Sequence, residues 1–281
     1  MSTPRQGPSE DLDEIFPRRS ETETHALRGL LRTLKIFTSD LIRVKVFLRD
    51  DILEQVTAGG EGFTALTHVT ARQADSLRWS EDQILTLIIN RLCASDELCS
   101  FVGLDIEQLK ASRDYRREAF YKVFPPTVHS GSNQSDTLRW VYTHTRDGRG
   151  AVTPRDVIDL LTRAKQHQQD ECDDDANGRT EYIIGPTAIQ YGLRELSKRK
   201  RTTLLEAEFP HFWEHIKKLD GGKTEYSERA IQKTLGKEWA SVIDDLVGIG
   251  LFEETRRGGQ RTFKVPFVYR EGLSLTQGRA E

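Results

Sequence analysis

Cysteine is scarce and unpatterned. There are three among 281 residues, Cys93, Cys99 and Cys172, an odd number with no CxxC spacing. That argues against a disulfide framework and against a structural zinc site, and the thiols read as reduced. A dominant charge sign is lacking too, since Lys+Arg 41 against Asp+Glu 44 leaves a net charge of -3. The balance therefore advertises neither nucleic acid nor an acidic membrane as partner. No run approaches the ~18 apolar residues of a membrane span. The opening MSTPRQGPSEDLDE lacks the apolar centre of a signal peptide. A soluble, cytoplasmic protein without a membrane partner is expected.

What is present is enough chain for two domains, or for one core with appendages. Ala26, Leu27, Leu30, Leu31, Leu34 and Phe37 recur at helical spacing, and Ile42 to Leu48 read as a short strand rich in Val and Phe. Helix then strand is the rhythm of an α/β core. After a glycine-bearing loop at Ala58 to Gly62, SEDQILTLIINRL starts an apolar helix with a capping box, Ser80 and Gln83. PPTVHSGSNQSD reads as loop, Thr137 to His144 as a short helix, and TPRDVIDLLTRA as a helix with Thr153 as N-cap and Pro154 at its first position. Its apolar stripe is Val157, Leu160, Leu161 and Ala164. The acidic run DECDDD and the following Asn177-Gly178 mark a linker. Helices then follow around Thr187 to Lys200, Leu204 to Leu219 and Ser227 to Leu235, with KEWASVIDDLVGIGLF after them. Two β-type arms around Arg257-Gly258-Gly259-Gln260 end the series as a hairpin. Helices followed by a hairpin are the order of a winged helix.

Several of these stretches resemble, in order, parts of P-loop ATPases of the STAND and AAA+ type. SEDLDEIF, Ser9 to Phe16, resembles the acidic end of a Walker B motif, and KVFLRDDI, Lys45 to Ile52, resembles the sensor strand of that core. LRWSEDQILTLIINRL is similar to the opening of the helical lid, TPRD to the lid arginine motif called sensor 2, and GLFEETRRGGQRTFKVPFVYREGL to a closing winged helix. The resemblance covers nearly the whole chain. It implies a mixed α/β, mainly α architecture: residues 1–78 as the C-terminal part of an ATPase core, 79–173 as a helical lid, and 174–281 as a helical linker with a winged helix.

The departures matter as much. A P-loop needs GxxxxGK[ST] after a strand, because backbone amides cradle the phosphates, the lysine neutralises them and the hydroxyl holds magnesium. That motif is absent, and the nearest candidate, KKLDGGKT, has Lys217 where the first glycine belongs. In the Walker B element, PRQGPS occupies the strand position and Glu10 replaces the magnesium-binding aspartate. The chain therefore reads as the C-terminal half of a bacterial regulatory or defence ATPase, without ATPase activity on its own. ATP and Mg are expected only if the missing half is supplied.

The resemblance implies site roles for four residues. Asp11 and Asp13 match the acidic cluster, which would polarise water or, for Asp11, hold magnesium through water; the preferred alternative for this chain is an acidic N-terminal segment with no site role. Arg49 matches the rim position of a sensor or arginine finger, with an ion pair to Asp50 or Asp51 as the alternative. Arg155 matches sensor 2, facing the phosphates from a helix N-terminus, with a solvated first-turn residue as the alternative. The expected partners are the missing ATPase half or another protein, a homo-oligomer included, with weak or no nucleic-acid binding. Two rival classes stand beside this: a non-catalytic winged-helix module binding protein or DNA, and a subunit lending Arg49 or Arg155 to a partner's site. His211 and His215 lack the glutamate of HExxH and read as packing or surface residues. Phe209, Phe212 and Trp213 read as core, and KRKR, Lys198 to Arg201, as an exposed helix end.

Overall fold

The computed structural model describes residues 21–34, 36, 44–49, 52–53, 56–57, 77–174 and 181–281. The chain is mixed α/β and mainly helical, with a four-stranded sheet among the described residues. It divides into two units, Met1–Leu77 and Arg78–Glu281. No helix among the described residues is long and apolar enough to cross a membrane.

In the first unit, α1 (Glu21–Thr33) buries Leu27 and Leu31 with Val56, and Leu30, Leu34, Leu48, Ile52 and Leu53 pack around them. Arg28 is buried on the same face and donates from Nε to the Val56 carbonyl at 3.0 Å. The strand expected at Ile42 to Leu48 is corrected here, because Val44–Leu48, the described part of that run, pairs with no strand among the described residues. A β-forming sequence becomes a strand only where its N–H and C=O groups meet a ladder partner. Phe47 instead stands 72% exposed while Leu48 packs on α1.

The second unit opens with α2 (Glu81–Leu92). Its capping box is made as the sequence specifies: the Gln83 amide donates to Ser80 Oγ at 3.3 Å, and the Ser80 amide donates to Gln83 Oε1 at 2.8 Å. Three shorter helices follow, α3 (Asp96–Val102), α4 (Ile106–Ala111) and α5 (Arg113–Val123), N-capped by Ser95, Asp105 and Ser112. α6 (Thr137–His144) is capped by Asp136, whose carboxylate also accepts from Tyr121 Oη at 2.7 Å and from Arg117 at 3.0 Å. The long α7 (Pro154–Asp174) lies against α8 (Pro186–Lys200), with Val157, Leu160 and Ala164 fully buried. Gly192 sits where the two helices meet, and a Cβ there would lie 2.3 Å from the Leu160 carbonyl oxygen.

The helix expected over Leu204 to Leu219 is broken. A π-helical stretch, Arg201–Glu206, is followed by α9 (Pro210–Ile216) and a 3-10 turn, Lys217–Leu219. Pro210 explains the break, because its ring excludes a continuous helix but suits the first position of a new one. Beyond lie β1 (Lys223–Ser227), α10 (Glu228–Leu235), α11 (Trp239–Gly248), β2 (Glu253–Arg257), β3 (Gln260–Lys264), α12 (Phe267–Arg270) and β4 (Thr276–Ala280). The sheet order is β2-β3-β1-β4, with β1 antiparallel to β3 and parallel to β4. The hairpin turn is as expected: Arg257 faces Gln260, and Gly258 and Gly259 both take positive φ, 58° and 82°, which a two-residue turn of this hand requires. Phe252, Phe263, Val265, Val268, Tyr269 and Leu273 join the sheet to the helical core.

Candidate functional site

Asp11 and Asp13 lie outside the described residues. Arg49 belongs to the first unit, is exposed, and accepts the Leu53 amide at its carbonyl, 2.9 Å away. Arg155 belongs to the second unit. Arg155 alone sits in a context that can be built from its neighbours upward.

Thr153 ends the incoming loop as N-cap: its Oγ accepts the Asp156 amide at 3.2 Å, and its carbonyl accepts the Val157 amide at 3.3 Å. Pro154 has no amide to satisfy and starts the helix. On this first turn Asp156 points inward and Arg155 outward. The Asp156 carboxylate is buried and pairs with Lys200 Nζ at 2.7 Å, fastening the start of α7 to the end of α8. Arg155 is exposed, and its side chain makes no hydrogen bond or ion pair among the described residues.

The loop before the helix carries two more arginines and a second inward acid. Asp147 Oδ1 accepts the amides of Arg149 at 2.9 Å and Ala151 at 2.8 Å, closing a tight turn in which Gly150 takes φ 77°. Burial raises the Asp147 carboxyl above its ordinary value, opposed by those amides and by the charges of Lys200 and Arg149. The Gly148 amide donates to the Gly250 carbonyl at 2.7 Å, and Arg149 Nη1 donates to the Gly248 carbonyl at 3.1 Å. Arg146 donates from Nε to the Gly150 carbonyl at 3.2 Å and stacks over Tyr142, 6.0 Å from the ring centre. Asp156 is buried, Asp147 is half-buried on its own loop's amides, and Arg155 is the exposed guanidinium of the segment. An exposed guanidinium such as that of Arg155 offers a planar fork of N–H donors, which suits a carboxylate or a phosphate.

Behind the loop, His144 is stacked between Trp140 (4.0 Å, 17°) and Phe267 (3.9 Å, 33°), and the Arg270 guanidinium lies 3.8 Å from the centre of the Phe267 ring. Tyr269, wholly buried near Asp147, Asp156 and Glu208, is held well above the usual phenol range by that burial and those charges.

The other sequence-level candidates resolve structurally. Phe209 and Phe212 are buried, as expected. Half of KRKR departs from the exposed helix end expected of it. Lys200 joins Asp156, and Arg201 donates to Glu206 at 3.0 Å, to Asp220 at 2.8 and 3.1 Å and to the Gly272 carbonyl at 2.9 Å. His215 faces Glu238 at 3.6 Å, and the described residues hold no cluster of three or more His, Cys, Asp or Glu side chains placed for a metal ion.

ATP does not fit KKLDGGKT, whose donors are already engaged. The amides of Asp220, Gly221, Gly222 and Lys223 donate to Lys217 O, Leu273 O, Leu219 O and Tyr226 Oη, and Lys223 Nζ donates to Thr276 Oγ1. No family model, curated protein or solved structure matches the chain.

Proposed function

We propose that the chain is the sensing part of a STAND/AAA+-like ATPase, a helical lid that presents Arg155 to a nucleotide phosphate held by a P-loop half supplied separately. The observation that carries this reading is the arrangement of the first turn of α7, where Asp156 is locked inward by Lys200 while Arg155 is left outward and unpaired among the described residues. A guanidinium fixed at its backbone, beside an acid already committed to Lys200, would meet developing charge on a phosphate. The test is ATP turnover by the protein completed with its P-loop half. Arg155→Ala should slow hydrolysis on the order of a thousandfold while changing stability by no more than about 0.5 kcal/mol. Unchanged hydrolysis would return Arg155 to the solvated class.

The second reading, that residues 210–281 form a winged helix acting as a binding module, is favoured by the order helix, β1, α10, α11, β2, β3 and by the antiparallel β1–β3 pairing. We assign its contacts to protein rather than DNA. α11 stands in the recognition position and carries Asp244 and Asp245 but no arginine. In the hairpin, Arg261 is held by Glu254 at 2.8 and 2.9 Å and by Asp244, and Arg256 lies 3.5 Å from Glu254. A groove-reading helix needs donors for phosphates and bases. The full chain should give no saturable shift in anisotropy with mixed duplex DNA at physiological salt, whereas tight, sequence-dependent binding would overturn the assignment.

A further inference from the structure

We propose that Arg149 is a positioning residue, a latch that ties the Thr145–Thr153 loop to the turn after α11 and thereby holds Arg155 in place on α7. The consequence for turnover rests on reading Arg155 as a phosphate contact, whereas the latch itself does not.

Gly248 is the last residue of α11, and its carbonyl lies beyond the reach of the helix's own amides. Arg149 Nη1 reaches it at 3.1 Å, placing a cation at the negative end of the helix. One residue earlier the Gly148 amide donates to Gly250 O at 2.7 Å. The two backbones can approach this closely because both residues are glycine. A Cβ on Gly148 would lie 2.2 Å from the Phe252 carbonyl oxygen, and Gly250, at φ 81°, would place one 3.0 Å from the Asp147 carboxyl carbon. From this contact to Arg155 the chain is fixed step by step. Asp147 closes the turn on the Arg149 and Ala151 amides, Val152 is buried, Thr153 caps α7, and Asp156 is pinned by Lys200. Motion of the α11–β2 turn therefore has a continuous route to the base of Arg155, made of hydrogen bonds and one buried side chain, Val152.

The first measurement is residue-resolved amide exchange on the full chain, comparing the unaltered protein with Arg149→Met and Arg149→Lys. In Arg149→Met the amides of Gly148 and Ala151 should exchange roughly tenfold faster or more, the shift that losing one charge-assisted hydrogen bond produces. The Gly248–Phe252 turn should loosen with them, since coupling between two sites is reciprocal. α8 should be unchanged, and Arg149→Lys, which keeps a charged donor, should recover most of the protection. Unaltered exchange in Arg149→Met, or acceleration spread equally into α8, would overturn the latch. The second measurement uses the protein completed with its P-loop half. Arg149→Met should lower kcat while leaving KM for ATP within about twofold, the pattern of an interaction made only in the transition state, and Arg149→Lys should restore it. A loosened loop with unchanged kcat would overturn the positioning role. A loosened loop beside an Arg155→Ala variant of normal turnover would instead overturn the phosphate reading and leave the latch standing.

Discussion

His144 illustrates how a single side chain ties α6 to α12. A carbonyl can only accept, so the 2.9 Å contact between His144 Nδ1 and the Trp140 carbonyl places the neutral ring's proton on Nδ1. A second proton would charge a ring already enclosed by Trp140 and Phe267. Burial pushes the His144 pKa down to about 4; the Trp140 carbonyl opposes it, and the charges of His129 and Arg270 add to it. The unfolded chain titrates near 6.5, so between those values it binds more protons than the folded one. Stability from this residue is therefore complete above about pH 6.5 and is lost as pH falls toward 4, by on the order of 3 kcal/mol at most. Urea midpoints at pH 7 and pH 4.5 should separate more for the unaltered protein than for His144→Phe, which keeps the stack and cannot titrate; equal separations would remove His144 from the acid response. Residue identities were only partly legible in advance. Thr153 and Pro154 announce the start of α7 because capping is local chemistry, but nothing in KRKR marks Lys200 and Arg201 as the inward members. Their partners, Asp156 and Asp220, are 44 and 19 positions away; the first acquires meaning only when α7 and α8 pack, the second only when the chain turns back after α9.

Among the elements, the crossing of α7 and α8 is set by what Gly192 lacks. A methyl there would press on the Leu160 carbonyl at 2.3 Å and the Ala164 amide at 3.2 Å, and both are helix backbone that cannot step aside singly. Gly192→Ala should therefore destabilise by about 1–3 kcal/mol or more, the cost of overpacking a filled interior. Gly248→Ala makes the contrast: a Cβ there meets nothing within 4 Å, so the gain in helix propensity should stabilise by about 0.5–1 kcal/mol. Denaturation midpoints of the two variants check the pair, and a Gly192→Ala protein as stable as the parent would refute the tight crossing. Elements that carry their own signals were readable: α2 by its capping box, α10 by Ser227, and the hairpin by Gly258-Gly259. β1 and β4 were not, because KTEYS and TQGRA alternate weakly and gain strand character only from each other and from β3. The run at Ile42 to Leu48 erred in the opposite direction, since strong β-formers there do not secure a partner among the described residues.

At the scale of the whole molecule, the order of helices and hairpin could be read from punctuation, whereas the packing of residues 78–281 around a continuous core could not, because pairing across the chain leaves no local trace. The family resemblance rests on short motifs, and its consequence for nucleotide binding is a matter of energies. Micromolar affinity requires about 8 kcal/mol. A guanidinium such as that of Arg155 brings about 1.5–3 kcal/mol per charge-assisted hydrogen bond, and part of that is spent ordering a long side chain. A P-loop makes up the difference with converging amides and a lysine. In KKLDGGKT, where the motif comes nearest, those groups are committed elsewhere: the Gly221 amide to Leu273 O at 3.0 Å, the Lys223 amide to Tyr226 Oη at 3.0 Å and Lys223 Nζ to Thr276 Oγ1 at 3.1 Å. Thr224 is 3% exposed, with its hydroxyl 3.2 Å from the Gly278 carbonyl oxygen. Freeing this segment for phosphate would mean dismantling the β1–β4 pairing. Calorimetric titration of the purified chain with Mg-ATP should accordingly give no binding in the micromolar range, and a protein joined to a P-loop half should acquire it. Micromolar binding by the chain alone, abolished by Arg155→Ala, would mean that the second unit holds a complete nucleotide site and that no separate cradle is needed.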